Sequence, residues 1–140
     1  METATPAERE GGRRAGGLHH ANQVEAFAYS ERQAALAARV LKCASRTFEA
    51  IGAGPATQEV IFWNLYVTRN LGRDEIADKP SEFVEGLKAI YGEAGMVVFE
   101  YKMIKEIKLE FGLAAELDKQ PKGRGLEDVL RLVAHGAQKP

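Results

Sequence analysis

The stretch DKPSEFVEGLKAIYG (78–92) followed by EAGMVVFEYKMIKEIKLEFG (93–112) decides how this chain is read. Pro80 suits a first helical turn, where its missing N–H costs nothing, and Asp78 stands where a side chain can cap free backbone donors. Phe83, Leu87, Ile90 and Tyr91 then recur at helical spacing, and Gly92 supplies a left-handed end. In the second run Val97, Tyr101, Ile104 and Phe111 fall on one line, with Met96, Met103 and Ile107 beside it. That is a wide apolar stripe in need of partners. The expected unit is a helical hairpin reaching to Gly112.

Two segments leave a strand alternative open. From Phe99 to Phe111 most odd positions are apolar, as an alternating strand requires. Helix is preferred because the run is long for a strand, because Ile104 and Lys105 break the alternation, and because Lys102 and Glu106 sit one turn apart. The run from Val60 to Thr68 is the most hydrophobic of the chain. Its β-branched and aromatic content suits a buried strand, whereas a helix from Pro55 to Leu71 is apolar nearly all round and hence central to a bundle. Gly72 ends it in either case, and Trp63 and Tyr66 are read as core rather than as a stacking platform for a flat ligand.

Working outward, the connection 71–77 is polar, with Ile76 tucked beneath it. Its carboxylates Asp74 and Glu75, with Asp78, stand beside a helix start, where acids are favoured without chemistry. Upstream, Ser30 and Gln33 form a capping-box pattern, so the first helix starts near Gln23 or restarts at Ser30. Along it Phe27, Ala34, Leu41 and Phe48 recur every seven residues, with Ser30, Ala37, Ala44 and Ile51 adjoining. This small-residue seam admits close approach of another helix, from the same chain or a second copy. Downstream, 118–125 is a basic loop and Leu126–Gly136 a last short helix burying Leu126, Val129, Leu130 and Val133, with His135 at its C-terminal end.

Composition sets the outer bounds. A chain of 140 residues with 45% hydrophobic content suits one domain with an ordinary core. Residues 1–22 mix glycine, charge and small side chains, which predicts a disordered arm ahead of a single helical domain at 23–140. His19 and His20 in that arm have no further ligand at metal spacing. The single cysteine, Cys43, excludes an intramolecular disulfide and favours a reducing compartment. No signal-peptide core or membrane-length apolar run is present. The expectation is a soluble, cytoplasmic, all-α protein: a small bundle of four to five helices with a disordered N-terminal arm. No catalytic, cofactor or metal constellation is legible, which predicts a protein that is not an enzyme.

Residues 48–113 resemble an archaeal family of helical output domains, of the Nitrosopumilus type, found at the ends of response regulators and sensor proteins. The resemblance is carried by 48–52 (FEAIG), by the 60–72 run, and above all by 75–87 (EIADKPSEFVEGL) with 90–95 (IYGEAG). It implies an all-helical, non-catalytic signalling or regulatory module.

Two surfaces are candidates for function. Ala34, Ala37, Leu41, Ala44 and Phe48 are the candidate self-association seam, pointing to a dimer or a protein partner. Arg32, Arg39 and Arg46 recur every seven residues with Lys42 among them. They form a basic stripe for phosphate or an acidic partner, and support an alternative reading as a nucleic-acid-associated regulator. Net charge of −1 gives that alternative no global support. Helical rotation also aims Cys43 toward this stripe, where exposure beside cations favours the thiolate.

Overall fold

The computed structural model describes the backbone of residues 5–113 and 125–137, and side chains over 26–113 and 125–136. The elements are α1 (Thr5–Ala50), α2 (Pro55–Arg69), a 3-10 turn (Arg73–Glu75), α3 (Pro80–Phe111) and α4 (Leu126–Ala137). No strand occurs among the described residues, so the chain is an all-α bundle and both ambiguous segments are helical. None of the described helices is long and apolar enough to cross a membrane.

The chain divides into two compact units, Met1–Gln33 and Ala34–Pro140. In the first, the backbone is helical from Thr5, so the helix starts at neither Gln23 nor Ser30. Ala, Glu and Arg in the expected arm are good helix formers. The side chains of the arm, His19 and His20 included, lie outside the described residues, as does most of the 118–125 loop. Phe27 and Tyr29 are exposed.

The second unit holds the core. Although α3 runs from Pro80 to Phe111, Gly92 interrupts it with φ 79°, ψ 175°. The rings of Phe83 and Phe99 lie 6.1 Å apart, yet sixteen residues of straight helix would separate them by about 24 Å. The chain therefore folds back at Gly92, and the expected hairpin is present. Gly112 (φ 65°) closes the second arm and its N–H donates to the Lys108 carbonyl, an αL cap. At the start Pro80 takes the first turn, but the cap position falls to Lys79 without a side-chain cap bond. Asp78 does not cap, because the 3-10 turn brings the N–H groups of Asp78 and Lys79 onto the Glu75 carbonyl.

Phe48, Phe62, Phe83, Tyr91 and Phe99 form the aromatic centre, with Phe99 in ring contact with Phe48, Phe83 and Tyr91. α2 approaches α3 at Gly86, where a Cβ would stand 2.3 Å from Leu65 Cδ2. Any side chain there would force the Leu65 side chain to shift. α2 ends at Arg69, not at Gly72, because Asn70 takes the left-handed conformation (φ 54°) and its N–H reaches the carbonyls of Leu65 and Tyr66. α4 buries Leu126, Val129, Leu130 and Val133, the expected face. Its first N–H, on Leu126, donates to Glu100 Oε2 at 2.8 Å.

Two helix rotations differ from the sequence reading. α1 buries Leu36, Val40, Cys43, Ala44, Thr47 and Phe48, a face turned by about 80° from the expected seam at 100° per residue. The second arm of α3 buries Met96, Phe99, Met103 and Ile107, leaving Val97 and Tyr101 exposed.

Candidate functional site

α2 begins where Gly54 precedes Pro55 at the first turn, and Gln58 anchors that turn by donating to the Ala53 carbonyl at 3.0 Å. Gln58, Ile61, Phe62 and Leu65 then face the core. The helix is not central to the bundle: its other side is apolar and exposed. Val60 is 66% and Trp63 65% exposed, with Tyr66 and Val67 also open. Trp63 and Tyr66 lean on each other with ring centroids 6.1 Å apart. Beside them lies a shallow pocket of about 200 Å³ lined by Glu59, Phe62, Leu71, Gly72 and Arg73 as well. Arg73 closes its rim, pairing with Glu59 and standing 4.6 Å over the Phe62 ring. The pocket thus joins two flat aromatic rings to a neutralised ion pair.

The basic stripe has a different fate. Arg39 donates from Nε to Glu110 Oε2 at 3.0 Å and from Nη2 to the Glu110 carbonyl at 2.7 Å, with its guanidinium 4.2 Å from the Phe111 ring. Lys42 lies 3.3 Å and Arg46 3.7 Å from Glu110 Oε1, and Arg46 also reaches Glu106 at 4.0 Å. Hydrogen bonds from Arg39 first, and from Lys42, hold the Glu110 carboxyl below its ordinary value of 4.5. Three of the four stripe cations therefore fasten α1 to the end of α3, while Arg32 belongs to the other unit and is exposed.

Cys43 is fully buried rather than aimed at the stripe. Burial, then the nearby Glu110 and Glu106 carboxylates, push its thiol up to about 11, against the smaller opposing pull of Arg46 and Lys42. It is therefore a packing residue and not an activated nucleophile. Alkylation at neutral pH is expected to be slow in the folded protein and to appear on unfolding; fast labelling of the native chain would contradict the burial.

The self-association seam is divided. Ala44 and Phe48 are consumed by the core, Ala37 and Leu41 are half-buried and Ala34 is exposed. Phe48, expected to be offered to a second copy, instead packs edge-on against Phe62.

A second hollow at the start of α3 is lined by Lys79, Ser81, Arg131 and His135 among others. Arg131 is already engaged, donating to Ser81 Oγ at 3.1 Å and pairing with Glu127. Among the described residues no group of three or more His, Cys, Asp or Glu is placed to hold a metal.

The outer face of α2 was missed by sequence reasoning because the helix is apolar on both sides, and Gln58 on the buried side gives the wrong cue. Glu106 and Glu110, one turn apart, were the available signal for the stripe's partners. The chain matches no protein-family model, and no curated protein or solved structure is significantly similar to it.

Proposed function

We propose that this chain is a non-catalytic regulatory or protein-interaction module that offers the outer face of α2 to an apolar surface on a partner protein. The reading rests on one observation: Val60, Trp63, Tyr66 and Val67 stand exposed together, opposite the core face of the same helix. Contiguous exposed apolar surface marks interaction sites, and Trp and Tyr are enriched among the residues that dominate binding energy. The resemblance of 48–113 to archaeal helical output domains points the same way, toward signalling output through contact rather than chemistry. A buried, unactivated thiol suits the reducing cytoplasm. The nucleic-acid reading is the weaker one, since Arg39, Lys42 and Arg46 already have carboxylate partners.

Trp63 is the only tryptophan of the chain, so its fluorescence reports this face alone. Proteins retained from a native extract by the wild type are expected to be lost with Trp63→Glu, while circular dichroism stays unchanged. The purified partner is then expected to shift Trp63 emission to the blue as it excludes water. Equal retention by the variant, or no emission change at saturation, would overturn the assignment.

A further inference from the structure

Glu93, Val97, Tyr101, Lys105 and Leu109 follow one another at four-residue intervals along the second arm of α3, and every one of them is exposed. Val97 is 65%, Tyr101 67% and Leu109 76% exposed, with Val98 widening the row. Met96, Phe99, Met103 and Ile107 already supply this arm's core face, so the row is a second, separate apolar face. Its charges are otherwise unused. Glu93 has no ion pair among the described residues, and Lys105 lies 5.9 Å from the Tyr101 ring of its own row.

The order of residues in the row is self-complementary. When identical helices pair antiparallel about a two-fold axis, a residue a given distance before the axis meets the residue the same distance after it on the partner. Glu93 and Lys105 are equidistant from position 99, and so are Val97 and Tyr101. An axis there sets Glu93 against the partner's Lys105 and Val97 against the partner's Tyr101, each twice. An axis at 101 would set Val97 against Lys105, and one at 97 would set Glu93 against Tyr101. Only the axis beside residue 99 joins charge to opposite charge and apolar to apolar.

We propose that this row is a self-association surface, and that its occupant is a second copy of this chain paired α3 to α3. The two rows interdigitate as four-residue ridges, crossing at roughly −50° over a contact about 18 Å long. One ridge covers less than the ~800 Å² per partner of a standard interface, so the association is reversible. It is independent of the α2 face and of the α1 seam.

Sedimentation equilibrium of the full chain, from low micromolar to roughly 1 mM, tests it. The mass is expected to climb from 15.3 kDa toward twice that value. Glu93→Lys places like charges in both symmetric contacts and is expected to weaken association about tenfold or more. Lys105→Glu, in the middle of an exposed helical face, does the same without touching the Gly92 break, and so stands if Glu93→Lys disturbs the fold. The double reversal restores wild-type association, a rescue that no other use of this row produces. A mass of 15.3 kDa at every concentration overturns the proposal, whether the row is idle or serves a different protein. So does a dimer indifferent to either reversal, or a double variant that fails to recover. Trp63→Glu is expected to leave the association unchanged, so the two surfaces fail or stand separately.

Discussion

Phe99→Ala is expected to lower the unfolding free energy by about 3–5 kcal/mol. The ring is fully buried and touches Phe48 from α1, and Phe83 and Tyr91 from the first arm of its own helix, at centroid distances of 5.0, 6.1 and 6.2 Å. Removing it takes away apolar burial and three aromatic contacts, and it leaves a cavity between elements that are held in place from several directions. Urea denaturation followed by circular dichroism measures the loss as a lower midpoint at unchanged slope. A loss under about 1 kcal/mol would mean that the second arm faces the core with another side.

Gly92→Ala is the second large effect, up to about 3 kcal/mol, and its origin is conformational. At φ 79°, ψ 175° the residue occupies a region that L-residues with a Cβ almost never enter. Nothing lies within 4 Å of where that Cβ would stand, so no clash is involved. The easiest relief for the variant is to continue the helix through position 92, which would carry Phe99 away from Phe83. Helical content is then expected to persist or rise while thermal unfolding becomes less stable and less cooperative. D-alanine at 92, introduced by chemical synthesis, accepts positive φ and is expected to recover most of the loss. Equal destabilisation by both enantiomers would place the cause elsewhere.

Backbone punctuation was legible because it depends on residue chemistry that acts locally. Pro55 and Pro80 open helices, Gly92 reverses one and Gly112 closes it, and each acts through its own φ or its missing N–H. The α4 face was legible for a related reason, since its apolar residues fall on one side only. Rotation was illegible wherever a polar side chain hides its own polarity. Thr47 sits in the core because its hydroxyl donates to the Cys43 carbonyl at 2.8 Å, and Gln58 does the same toward Ala53. Polarity alone argues for an outward face at both positions, yet Thr47 on α1 and Gln58 on α2 are buried. The aromatic face of α2 was misread for the opposite reason. A helix apolar all round contains no sign of which half its neighbours will cover.

The bond from Leu126 N–H to Glu100 bears on the order in which the chain assembles. Twelve residues make a helix that is marginal in water by itself, and the carboxylate that receives the first N–H of α4 stands on the second arm of α3, beyond the reversal at Gly92. Ser81, which accepts from Arg131 and donates to Glu127, stands on the opposite arm of that reversal. α4 is thus a template-dependent element: it is expected to nucleate late, upon a finished hairpin, and to be the first helix released when the hairpin opens.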